Sequence, residues 1–154
     1  MGLQKDLTKI TEIAIENRNE NISFGAFLKV QNSDKIDEIV HQLNNEVTPK
    51  IDCLECGNCC KNLRPIATEK AMSPFVEPKN MQAYKYLKEF ACKNLDGNKC
   101  TIYKDRPSEC SSFPYLDRNK FVTRTNELIQ NYEICPIVFN VFEQLKEELN
   151  WSYK

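Results

Sequence analysis

The sequence predicts an α+β fold, mostly α: a small single domain of about four helices with one short β-hairpin and irregular loops that carry its cysteines. Three observations lead there. Apolar residues recur at three- and four-residue intervals in several segments, which puts them on one side of a 3.6-residue helix. Asp96-Gly97 precedes the β-prone run Lys99 to Tyr103, the composition of a tight hairpin turn. All eight cysteines fall between Cys53 and Cys135, none of them in the first 50 residues. A chain of 154 residues, 41% of them apolar, suffices for one ordinary core. The reading therefore divides it into a helical lead-in, residues 1–50, and a cysteine-bearing body with a C-terminal helix, residues 51–154, within one compact domain.

Along the chain, Leu3, Leu7, Ile10 and Ala14 form the first helical stripe. Ile36, Ile39, Val40, Leu43 and Val47 form the second, with Ser33 or Asp34 placed to cap its exposed amides. The lead-in ends near Thr48-Pro49. The run CLECGNCC, residues 53–60, is too poor in apolar residues for a core element, and its glycine permits a tight turn. Pro65, Pro74 and Pro78 then interrupt the chain. A third helix is expected around Met81, Tyr84, Leu87 and Ala91. The turn at Asp96-Gly97 would bring Cys92 and Cys100 together. A short helical turn is expected after Pro107, with Asp105 as its cap, and a strand at Phe121 to Thr123 after the polar turn Asp117 to Lys120. Pro136 suits a first helical position. From it, Val138, Val141, Phe142, Leu145 and Leu149 mark the buried side of a last helix, while Glu143, Lys146, Glu147 and Glu148 make its wet side. Phe113, Phe139, Phe142 and Trp151 read as packing aromatics rather than a base-stacking platform.

Charge and composition narrow the function classes. Lys and Arg total 21 against 22 Asp and Glu, so the chain has no basic bias towards a phosphate backbone, and nucleic acid is not an expected partner. No apolar run approaches the roughly 20 residues that span a bilayer, and the start MGLQKDLTKI lacks a signal pattern. No membrane association is expected, and the expected location is cytoplasmic. The single histidine, His41, falls opposite the apolar stripe of its helix and reads as a solvated residue, which leaves few histidine-based acid-base or mixed Cys-His schemes. No catalytic constellation is visible, so the chain is not expected to act as an enzyme by itself.

Eight cysteines in a reducing compartment need a role other than disulfides, and metal ligation supplies one. An even count also permits a disulfide framework should the chain be exported. Cys53, Cys56 and Cys59 follow C-x2-C-x2-C, a spacing that lets successive thiolates wrap one metal or cluster, and Gly57 leaves the backbone free to approach sulfur. Cys60 directly follows Cys59, and adjacent side chains diverge along most backbones, so the two are expected to face different partners. Cys110 and Cys135 precede or occupy expected helix starts, where free amides favour a thiolate. Eight thiolates divide into two four-coordinate sites, which suits zinc, one or two ions, and equally suits iron or a [4Fe-4S] cluster. Spacing alone does not separate these. Tyr103 and Arg106 are placed to support the thiolates by hydrogen bonding and charge. An iron-sulfur protein acting in electron transfer, or as a component of a modifying enzyme, is the alternative to a structural metal. A third reading is an adaptor whose metal shapes a docking surface for a protein partner as yet unknown.

CLECGNCC at 53–60, CTIYKDRPSECSSFP at 100–114 and CP at 135–136 together resemble the CxxCxxCC (YkgJ-like) cysteine-cluster family of zinc- or iron-chelating proteins, over about two thirds of the chain. The resemblance implies metal binding by Cys53, Cys56, Cys59, Cys60, Cys100 and Cys110, with Cys92 and Cys135 matching the remaining cysteine positions. Ser111 stands where the family often has arginine, so an anion-binding role for that arginine is not carried over. The same module occurs in much larger flagellin lysine N-methylases, where an iron-sulfur role is implied.

Overall fold

The computed structural model of the protein describes residues 2–56, 58, 95–97, 99–101, 103–105 and 113–154. The third helix expected at Met81 to Ala91 and the turn expected after Pro107 lie outside them. Contacts divide the chain into two compact units, one made of residues 1–51 and 114–154, the other of residues 52–113.

The first unit is helical. α1 (Leu7–Glu16) starts where Asp6 turns the chain and its carboxylate accepts the amides of Thr8 and Lys9 at 3.0 and 3.1 Å. Leu3 therefore precedes the helix rather than joining its stripe, and Ile10 and Ala14 are the residues α1 buries. α2 (Arg18–Lys29) follows after one residue, Asn17, and buries Asn21, Phe24, Gly25 and Leu28. The sequence reading contains no helix here. α3 (Ser33–Val47) is capped by Asn32, whose side chain accepts the Lys35 amide at 3.1 Å, one residue ahead of the expected caps. It buries Ile36, Val40, Leu43 and Val47 on the expected stripe, together with Asp37.

The single turn α4 (Cys53–Cys56) belongs to the second unit, and α5 (Thr125–Tyr132) and α6 (Pro136–Glu148) complete the first. α6 packs on α3, on α5 and on α1, and α2 packs on α5. Thus the last helix, grouped by sequence with the cysteine-bearing body, makes its contacts with the lead-in helices. Phe142 stands at the centre of the core: the rings of Phe24, Phe121 and Tyr132 lie 5.8, 5.8 and 5.9 Å from it. Edge-to-face and tilted contacts at such distances add to the burial of each ring. The N-terminal segment is fastened to α6 by Asn140, whose side chain accepts the Gln4 amide at 2.9 Å and donates to the Gln4 carbonyl at 2.8 Å.

The expected strand at Phe121–Thr123 is a single 3-10 turn. Its residue types favour extended structure, but no neighbouring strand offers a ladder among the described residues. Instead Lys120 turns left-handed at φ 62°, and the amides of Lys120 and Phe121 donate to the Asp37 carboxylate at 2.8 and 2.9 Å. The amides of Thr123 and Arg124 close the turn on the carbonyls of Lys120 and Phe121. The Asp37 carboxylate and two local carbonyls together satisfy these four amides, which takes the place of a strand ladder.

The second unit, as far as it is described, contains α4 (Cys53–Cys56), β1 (Leu95–Asp96), β2 (Lys99–Cys100) and a 3-10 turn at Tyr103–Asp105. β1 and β2 pair antiparallel, Leu95 opposite Cys100 and Asp96 opposite Lys99, around Gly97 at φ 60°. The extended run expected as far as Tyr103 stops at Cys100. Two residues on either side of one turn do not amount to a sheet layer that could bury a face. The fold class is accordingly helical and not α+β: among the described residues, five helices of eight or more residues carry the architecture.

Candidate metal centre

Cys53 and Cys56 are the first and last residues of α4, and the Cys56 amide donates to the Asp52 carbonyl at 2.9 Å, which closes the single turn. Residues three apart on a helical turn lie on one side of it. The CLEC spacing therefore puts two thiol-bearing positions on a common face. Cys53 is exposed and Cys56 half-buried. α4 packs against β2, so the backbone that carries Cys100 runs beside the turn that carries Cys53 and Cys56. The Asp96-Gly97 turn folds Lys99–Cys100 back along Leu95–Asp96, a reversal eased by the left-handed Gly97.

Tyr103 is half-buried in the 3-10 turn that follows β2, three residues beyond Cys100. Cys135 belongs to the other unit, where it is buried, 6% exposed, and occupies the extended N-cap position of α6 just ahead of Pro136. Cys59, Cys60, Cys92 and Cys110, with Gly57 and Arg106, lie outside the described residues. Among the described residues, no three histidine, cysteine, aspartate or glutamate side chains gather as a metal-holding group. The structure thus brings together α4 and the Cys100 strand.

The donor chemistry fits the metals that the sequence suggests. Thiolates are soft donors that suit zinc, iron and iron-sulfur centres, and a turn with cysteines three apart beside a hairpin strand is a backbone arrangement from which such donors can approach one ion. His41, by contrast, is half-buried on α3 rather than solvated, and its Nε2 is enclosed with no hydrogen-bond partner among the described residues. Its helix belongs to the first unit.

A buried ionic cluster in the first unit escaped the sequence reading. Lys146 was expected on the wet side of the last helix, yet it is 6% exposed. Its ammonium donates to Glu20 at 2.9 Å, Asn21 at 2.8 Å and Glu143 at 2.7 Å. The Tyr132 hydroxyl donates to the same Glu143 oxygen at 2.8 Å and accepts from Asn17 at 3.2 Å. Burial, with the Glu143 charge beside it, pushes the Tyr132 phenol well above its ordinary range. Only the asparagines and Glu20 of the unpredicted α2 region could have signalled this cluster.

No helix among the described residues is long and apolar enough to cross a membrane. Neither a curated protein nor a solved structure matches the chain. The family model CxxCxxCC, "Putative zinc- or iron-chelating domain", matches residues 52–150, which takes in all eight cysteines. With that match extending over well more than half of its length, and with C-x2-C-x2-C-C standing at residues 53–60, the chain belongs to the CxxCxxCC family of zinc- or iron-chelating domains.

Proposed function

We propose that this protein is a zinc-binding protein in which cysteine-only sites, holding one or two ions, organise the segment from Cys53 to Cys110. The observation that carries the reading is the packing of the Cys53–Cys56 turn against the Cys100 strand. Two cysteine positions on one face of α4 and a third on the adjoining strand would supply three donors of one kind from elements more than 40 residues apart in sequence. The candidate ligands are Cys53, Cys56, Cys59, Cys60, Cys92, Cys100, Cys110 and Cys135, with Gly57, Tyr103 and Arg106 supporting them. A metal held by them supplies folding free energy, because a preformed site does not exist in the unfolded chain. Its role is then to fix a segment with little apolar content of its own in its first eight residues, CLECGNCC. A cytoplasmic location is part of the same proposal, since thiolates stay reduced there.

The experiment is metal and acid-labile sulfide analysis of protein purified without oxygen. Zinc at one or two equivalents without sulfide is the expected result. Iron with sulfide and visible charge-transfer absorption would replace zinc by a cluster and make the protein a redox component. A colourless, metal-free and fully folded protein would remove both readings.

A further inference from the structure

The end of α6 and the residues after it form an open groove of about 610 Å³ whose lining includes Glu20, Glu143, Lys146, Glu147, Trp151 and Tyr153. All belong to the first unit. Three carboxylates against one ammonium leave the lining with a net charge of −2. The one ammonium is not available to a ligand: the three protons of Lys146 are directed to Glu20, Asn21 and Glu143. An anion entering the groove would therefore find no free donor on the one cation that lines it among the described residues.

A cation meets different conditions. The Glu147 side chain is exposed and makes no ion pair or hydrogen bond among the described residues, and Glu20 and Glu143 each use only one oxygen in the cluster around Lys146. Trp151 and Tyr153 stack nearly parallel, 17° apart at 6.5 Å between ring centres. Trp151 is held from behind by Phe24 at 4.9 Å, whereas Tyr153 remains 49% exposed. Aromatic faces attract cations within about 6 Å of the ring. The groove also lies at the C-terminal end of a 13-residue helix, where the backbone dipole favours positive charge. Carboxylates and ring faces are both present, and a planar guanidinium uses both at once, by paired hydrogen bonds and by stacking.

We propose that this groove is a docking site for an arginine side chain on a basic segment of a partner protein. Glu147 would pair with the guanidinium and Tyr153 would cover its face, with Trp151 as the fixed wall. Trp151 is the only tryptophan of the chain, so its fluorescence reports occupancy directly.

The test titrates the intact, metal-loaded protein with the blocked peptide Gly-Gly-Arg-Gly-Gly and with the same peptide bearing lysine or glutamate at the centre. A saturable fluorescence change is expected with the arginine peptide, weaker by threefold or more with lysine and absent with glutamate. Raising salt from 50 to 500 mM should weaken it. Glu147→Gln and Tyr153→Ala, both changes at exposed positions, should each raise the dissociation constant at least threefold while leaving the circular dichroism spectrum unchanged. Equal binding of all three peptides, unchanged affinity in both folded variants, or no saturable change up to 5 mM arginine peptide would overturn the assignment.

Discussion

The Asp37 carboxylate, 5% exposed on α3, receives the amide of Phe121 at 2.9 Å from a segment 84 residues further along the chain. Its second oxygen receives the amide of Lys120 at 2.8 Å. The side chain thereby does for the Lys120–Phe121 backbone what a neighbouring strand would have done, and it sets Phe121 against Phe142. Asp37→Ala leaves two backbone donors without a partner, one of them in the buried core. At about 1–3 kcal/mol for each buried unsatisfied group, the loss should be near 3 kcal/mol in urea denaturation. Asp37→Asn, which keeps one acceptor, should cost less.

Removing the cation from the Lys146 cluster leaves carboxylates facing each other. Both partners are partly open to water, Glu20 at 26% and Glu143 at 36% of side-chain area, so solvent softens the cost relative to a fully buried pair. Lys146→Met should lower stability by about 2 kcal/mol, and adding Glu143→Gln to it should recover part of that loss. A double-mutant cycle measured by chemical denaturation reads the coupling.

Alkaline conditions test Tyr132. Its phenol titrates higher in the folded protein than in the unfolded chain, so between the two values the unfolded state has released a proton that the folded state keeps. Stability from this group is complete below about pH 10, the ordinary phenol range, and declines as pH rises beyond it. Tyr132→Phe removes that dependence. The stability gap between the native chain and Tyr132→Phe should therefore narrow above pH 10, as followed by denaturation midpoints at pH 7 to 11.

Gly25 marks where α2 approaches α5. A Cβ placed there would lie 3.1 Å from Ile129 Cδ1 and 3.5 Å from Thr125. The nearer atom is the end of a flexible side chain, and alanine gains about 1 kcal/mol over glycine in a helix interior. Gly25→Ala should thus change stability by less than about 1 kcal/mol, whereas Gly25→Leu, which overfills the crossing, should lower it by about 2 kcal/mol or more. Thermal midpoints of the two variants distinguish packing from propensity.

Chelation addresses the proposed metal. Five long helices belong to the first unit, and the candidate ligands apart from Cys135 belong to the second. Stripping zinc with a strong chelator should therefore expose the amides around Cys100 to hydrogen exchange while most far-ultraviolet helical signal remains. Cys53→Ser with Cys56→Ser should reproduce that pattern and reduce bound metal. Cys135→Ser checks the remaining ligand separately: unchanged metal content would withdraw it from the proposed set.

The sequence was most informative where periodicity and a stop or start signal coincide. Pro136 followed by Val138, Val141, Phe142 and Leu145 gives α6, with these four buried as expected, whereas Leu149 of the same stripe is the half-buried C-cap. The stripe from Ile36 to Val47 gives α3, although the cap is Asn32. α2 was illegible because Gly25 and three asparagine or serine residues dilute its apolar face, and tertiary contacts with α5 and Trp151 compensate. Phe121–Thr123 misled because β-prone residues say nothing about whether a partner strand exists. Periodicity likewise cannot tell a wet lysine from a paired one, and Lys146 lies beside exposed Glu147 in the chain. The candidate centre was legible as a cysteine spacing, since ligand type and turn chemistry are local. Which cysteines share an ion depends on long-range approach, of which only the meeting of α4 with β2 is described.

The helical unit is built from two stretches of chain, residues 1–51 and 114–154, with residues 52–113 between them in sequence. Because α6 covers α3 and α1 while α5 covers α2, the three N-terminal helices lack these packing partners until the ribosome has released residues up to Glu148. Every cysteine leaves the exit tunnel before that moment. On the proposed metal-binding reading, a nascent chain can thus meet its ion while its N-terminal helices are still unpaired, so that ion capture does not wait for the helical unit to close.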